Sequence, residues 1–277
     1  MGLLWIFGCS LFLTAQTPVL TPADLVRQTV ENELKTANGS ANFMFRSRKE
    51  TSHGSQTKLY VQTREGMAGL LIAINDQPLT PAQRQAEEAK LRNQANSPDD
   101  LRDKQKHEKE DTELVSRIVR ALPNAFTYQY DEIEVGKAGV GNMGGELIRL
   151  KFHPNPKYNP PSRDEQVLTG MQGYLLIDAG KHRIAKIDGV LYRDVNFGWG
   201  ILGRLNKGGH FQVEQGEVGD SPWDITHMIL DFAGKILIFK SLVIKSGEVY
   251  SDFRRVPNNL TFLEGVALLI KQEITIP

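Results

Sequence analysis

Six histidines, His53, His107, His153, His182, His210 and His227, are the side chains best suited to proton transfer or metal binding near neutral pH. No two stand four apart, and no H-E-x-x-H string occurs, so the spacing of a zinc-binding helix is absent. His227, close to Trp223 and Asp224 in a strand pattern, reads as a packed or exposed strand histidine. Cys9 is the one cysteine, which excludes a cysteine-based zinc cluster and any disulfide within the chain. Neither a G-x-S-x-G elbow nor a phosphate-binding G-x-x-x-x-G-K-[ST] loop is present. Two G-x-G-x-x-G strings do occur, at Gly139/Gly141/Gly144 and Gly198/Gly200/Gly203. The dinucleotide fingerprint needs a helix opening at its third glycine. Here each string leads into more strand or loop, so both read as tight bends. The 33 acidic residues include no two that stand out as a glycosidase pair. These residues assign no catalytic group, no metal and no cofactor.

What remains is apolar. Phe197-Gly198-Trp199-Gly200 interleaves aromatics with glycine. Glycine in a strand permits sharp bending or close approach of another chain or ligand. The string therefore reads either as sheet curvature or as a pocket mouth with Phe197 and Trp199 as contacts.

The 277 residues carry 33 basic and 33 acidic side chains, for a formal charge of zero. That balance argues against a general nucleic-acid binder, which needs a basic face, and against strong attraction to anionic membranes. Residues 3–13, LLWIFGCSLFL, form an apolar run too short for a ~30 Å hydrocarbon core. Followed by Thr14-Ala15-Gln16, the run reads as a secretory signal over residues 1–15. No Lys or Arg precedes Arg27, which a start assigned too far downstream would explain. The alternative is a lipoprotein anchored at Cys9, in the loose lipobox Ile6-Phe7-Gly8-Cys9. The expectation is an exported chain, periplasmic or secreted, with no transmembrane span.

Thr21-Pro22-Ala23-Asp24 opens a helix by capping, and Leu25, Val26, Thr29, Val30 and Leu34 follow at helical spacing. Strand patterns follow at 42–49, 58–63 and 67–75. The stretch 80–122 breaks the pattern with Thr80-Pro81 and Ser97-Pro98 caps and dense charge. It reads as a solvated helical pair or as a lid over a pocket. Strands resume at 126–135, 146–153, 169–178, 183–193, 210–217, 225–232, 235–245 and 248–255. Asp178-Ala179-Gly180, Ala233-Gly234 and Ser246-Gly247 read as hairpin turns. Loops lie at 136–145 and 154–163. A last capping box, Thr261 with Glu264, leads into a helix apolar on most of its circumference.

Residues 173–189, GYLLIDAGKHRIAKIDG, are followed by Lys207-Gly208-Gly209-His210-Phe211, Trp223-Asp224-Ile225 and Phe253-Arg254-Arg255-Val256-Pro257. This resembles an uncharacterised family of secreted bacterial proteins, and the order of elements resembles the lipoprotein-carrier fold of the LolA, LolB and RseB type. The resemblance implies a mainly β, α+β fold: a curled antiparallel sheet forming an unclosed half-barrel, with helices packed on its concave face. It would span residues 16–277 as a single domain, with the charged helical insert at about 80–122. It implies a non-enzymatic envelope protein that binds an apolar ligand, such as a lipoprotein's acyl chain. The expected lining is Phe43, Phe45, Leu59, Leu71, Tyr174, Leu176, Phe197 and Trp199. Two other readings stay open: a scaffold or signalling domain for another envelope protein, and a hydrolase with an acidic site.

Overall fold

The structure is a computed structural model, described for residues 20–36, 42–198, 202–219, 221–236 and 240–272. The expected leader at 1–15, Cys9, Trp199 and Gly200 lie outside the described residues. Five helices are present among them: α1 (Pro22–Thr36), α2 (Pro81–Ala95), α3 (Pro98–Ala125), α4 (Arg163–Gln166) and α5 (Phe262–Ile270). The strands are β1 (Phe43–Thr51), β2 (Gly54–Thr63), β3 (Gly66–Ile74), β4 (Gln77–Pro78), β5 (Phe126–Val135), β6 (Glu146–Pro154) and β7 (Met171–Asp178). They continue with β8 (Arg183–Leu191), β9 (Val195–Phe197), β10 (Gly203–Leu205), β11 (His210–Val218), β12 (Ser221–Ile236) and β13 (Lys240–Arg255). All belong to one unclosed antiparallel sheet, ordered β4-β3-β2-β1-β13-β12-β11-β8-β7-β6-β5, with β10 joining β12 to β9. No described helix is long and apolar enough to cross a membrane.

The capping grammar is realised. Thr80 and Gln83 form a reciprocal capping box on α2, as do Thr261 and Glu264 on α5. Ser97 caps α3 through the Asp100 amide.

Register decides which residues share a face. Arg46 pairs with Leu59 and Leu59 with Leu70, and this side receives Phe262, Val266 and Leu269 of α5 and Leu91 of α2. On the other side Phe45 pairs with Tyr60. That second side can be followed through Lys49↔Glu248, Glu248↔Met228, Met228↔Val213, Val213↔Ile187 and Ile187↔Leu175. At Leu175 it meets Leu25, Val26 and Val30 of α1 and Leu122 and Ala125 of α3. The two helical groups thus cover opposite faces at the two ends of the sheet. Eight strand-to-strand steps separate β3 from β6. At roughly 20–25° each they turn the sheet about half a revolution. A single helical layer therefore meets one face at one end and the reverse face at the other.

Two expected turns are corrected. Ala233-Gly234 and Ser246-Gly247 lie within β12 and β13, which pair without interruption from His227↔Val249 to Ile236↔Lys240. A side chain at Gly234 would meet the Arg204 carbonyl oxygen at 2.1 Å, so its glycine answers the close approach of β10 rather than a turn. Strand β12 also starts earlier than expected, at Ser221.

Candidate functional site

The alternation Lys186-Ile187-Asp188 on β8 and Gln212-Val213-Glu214 on β11 sends Ile187 and Val213 towards the α1/α3 side and the charged residues to the opposite face. Lys186 pairs with Glu214 and Leu176, Glu214 with His227, and Tyr174 with Asp188. The result is a half-buried polar row across five strands. The Lys186 ammonium lies 3.1 Å from Glu214 and 3.5 Å from Asp188. His210 Nε2 is 3.0 Å from Asp188, and His227 Nδ1 is 3.4 Å from Glu214. The Arg149 guanidinium sits 3.8 Å from the Tyr174 ring centroid and reaches Asp131, Glu132 and Glu134 on β5. Burial lowers the Lys186 pKa, but the Glu214 carboxylate and Tyr174 outweigh it and leave a net rise. Burial pushes the Tyr174 phenol up. Every charge in the row has an opposite neighbour, which suits holding the strands in register more than acid–base work. Among the described residues no group of three or more His, Cys, Asp or Glu is placed to hold a metal ion.

The row ends at a gap in the sheet. Strands β12 and β13 pair from Ile236↔Lys240 only as far as His227↔Val249. Beyond that point they part: Asp224 follows Gly216 on β11, and Ser251 follows Arg46 on β1. Bulges drive the separation, one between Glu214 and Gln215 and one at Asp252, whose φ of 56° is the left-handed conformation of a bulge residue. The parting opens a notch of about 550 Å³. Tyr250, Phe253 and Val218 form its apolar lining, and Glu214, Thr226 and His227 its polar side. Behind Phe253 the Phe45 ring stacks at 5.3 Å, with Tyr60 stacked on Phe45 at 5.6 Å. Ala138 and Gly139 of the 136–145 loop complete the rim. The loop is held there by a 2.6 Å hydrogen bond donated by Thr226 Oγ1 to the Gly139 carbonyl. Gly141 also donates its amide to Gln215 O at 2.8 Å. The positive φ of Gly139, Gly141 and Gly144 makes this G-x-G-x-x-G string a bent loop, as its context suggested. Burial and the Glu248 carboxylate push the Tyr250 phenol far up, and burial raises the Asp224 carboxyl nearby.

The expected lining residues do not share one wall. Phe43 and Phe45 join Phe253 in the aromatic cluster behind the notch. Leu59 is buried on the opposite face, beneath α5. Leu71, half-buried and paired with Lys58, lies on the Phe45 side. Tyr174 and Leu176 lie together beside Leu147 and Trp223, on the polar row's face. Phe197 packs at the margin of the α1/α3 core, away from the notch. Sequence reasoning missed the polar row. Its signal was the alternation of polar residues, Lys186 and Asp188 on β8 and His210, Gln212 and Glu214 on β11. It placed Val249 and Tyr250 in a strand but not at a site, because the parting of β12 from β13 lies in the cross-strand pairing.

No family model matches the chain, and no curated protein matches it. Among solved structures, the chain is similar to the crystal structure of a DUF1329 family protein from Desulfovibrio piger, with 10% sequence identity and a TM-score of 0.29. The match covers 83% of this chain and 92% of that one. A similarity of that size carries no argument about fold or function.

Proposed function

We propose that the protein is an exported, non-enzymatic binding protein of the bacterial envelope, which seats an acyl chain or similar apolar segment in the notch between β12 and β13. The observation that carries this reading is the parting of two strands over an aromatic floor. Phe253 and Tyr250 face an opening of about 550 Å³, within the usual range of small-molecule sites. Tyr60 and Phe45 stiffen that floor from behind. Val249, 47% exposed, stands at the entrance with nothing polar required of it. Burying a methylene contributes about 0.8 kcal/mol, so ten would supply about 8 kcal/mol before ordering costs. The polar side, Glu214, Thr226 and His227, suits a hydrogen-bonding headgroup at the end of such a chain.

The test is native mass spectrometry of the full chain before and after delipidation, with displacement of a fluorescent sixteen-carbon fatty acid. Co-purified lipid and saturable displacement are expected. Val249→Glu, an exposed substitution, is expected to weaken binding at least about tenfold with unchanged circular dichroism. Absence of saturable binding would defeat the carrier reading. Binding unaffected by Val249→Glu would place the ligand elsewhere.

A further inference from the structure

Strand β13 pairs with β1 only from Thr51↔Ser246 onwards. Residues 240–245, Lys-Ser-Leu-Val-Ile-Lys, pair with β12 alone, so among the described residues their outer edge is unpaired. Val243 is 72% exposed and Ile244 39% exposed. Such an edge is a template for another strand, and proteins usually cover, shorten or bend theirs. The sheet's terminal edge at β5 shows what protection looks like here. It is bulged between Tyr130 and Ile133, and its Asp131, Glu132 and Glu134 are engaged by Arg149 and Lys151. The β13 edge has no bulge between 240 and 249.

Charge indicates what fits. Lys240 and Lys245 bracket the apolar triplet, and Lys235 of β12 stands opposite Ser241. None of the three lysines has an ion pair among the described residues. Asp231, opposite Lys245, is the one acid in this part of the hairpin, and Arg204 beside Lys235 is paired with Asp194. We infer that the free edge of β13 at residues 240–245 docks an extended polypeptide segment of a partner protein, with apolar residues at its centre and acidic residues at its ends. The partner's backbone completes the ladder along 240–245. Its alternate apolar side chains lie beside Leu242 and Ile244, and its acidic ends meet Lys240 and Lys245. A second copy of this chain fits less well, because its own lysines would enter the same basic edge.

The test titrates fluorescein-labelled Asp-Val-Thr-Val-Thr-Asp and Lys-Val-Thr-Val-Thr-Lys peptides into the full chain by anisotropy, with amide exchange followed at 240–245. Saturable binding of the acidic peptide alone, with slowed exchange at these residues, is expected. Val243→Asp, which places an acid at an exposed position between the two lysines, should weaken it at least about tenfold while leaving fatty-acid displacement at the notch unchanged, which separates this edge from the notch. Lys240→Glu/Lys245→Glu, exposed at both positions, should reverse the preference towards the lysine peptide. Equal binding of both peptides, no binding, or no protection at 240–245 would overturn the inference. So would a concentration-dependent dimer in sedimentation that Val243→Lys abolishes.

Discussion

Replacing Lys186 with methionine removes the cation on which the polar row converges. Its side chain is only 15% exposed, and Glu214 and Asp188 are 18% and 21% exposed. Deleting one member of a buried ion pair typically costs about 3–5 kcal/mol, because the other is left as an uncompensated buried charge. Here the carboxylates keep partial partners. Gln212 Nε2 still donates to Glu214 at 3.2 Å, and Tyr174 still donates to Asp188 at 3.3 Å. The lower end, about 3 kcal/mol, is therefore expected, or roughly 6–12 °C in Tm for a chain of this size. Urea unfolding followed by tryptophan fluorescence measures it. Adding Glu214→Gln removes one stranded charge and should recover about 1 kcal/mol or more of the loss. The wild type should also lose stability as pH rises above 10.5, because its folded-state Lys186 pKa is raised above that value. The native state holds a proton there that the unfolded chain releases, so each pH step favours unfolding. Lys186→Met should flatten that decline. A loss below about 0.5 kcal/mol, or a double variant no better than the single one, would refute the reasoning.

Asp178, 1% exposed, accepts from the amides of Asn142, Gly180 and Lys181. Asp178→Ala should destabilise by about 3–5 kcal/mol in urea titration, since three donors lose a charged acceptor. Gly173→Ala puts a methyl 1.9 Å from the Asp188 carbonyl oxygen and should cost about 3 kcal/mol, whereas Gly247→Ala meets nothing within 4 Å and should change thermal stability by less than about 0.5 kcal/mol. Burial and the Glu165 carboxylate push Tyr158 up to about 12. Ultraviolet titration should show a phenol ionising there that Tyr158→Phe removes. Stability should fall between pH 10 and about 12, because the folded state keeps its proton while the unfolded chain loses it.

The local grammar of this chain was legible in its sequence. Thr80, Ser97 and Thr261 marked helix starts because capping depends on three or four neighbouring residues. The longer strands were legible from their local alternation, whereas the short β4, β9 and β10 were not, and β12 and β13 were divided at the wrong residues. Face assignment was not legible. Phe45 and Leu59 look equivalent in sequence, yet cross-strand pairing puts them on opposite sides, and bulges at Met44/Arg46 and Thr57/Lys58 shift the count. Gly234 and Gly247 were ambiguous because glycine serves a turn and a close backbone approach equally well. The notch was hidden more deeply. It exists because β12 and β13 part partway along, and β13 then runs on beside β1, a pairing that joins the two ends of the chain.

Helix α3 has a consequence of its own. Its 28 residues make a rod of about 42 Å. Near its start Leu101 packs beside the α5 cluster, and Glu108 accepts the Met67 amide at the margin of β3. At its end Leu122 and Ala125 are buried against the far strands. Between these anchors, residues 109–113 face solvent. One inserted residue there would swing the distal anchor about 100° around the axis and lift it from its socket. The middle of α3 is a crossbeam whose letters are free to drift while its length is not.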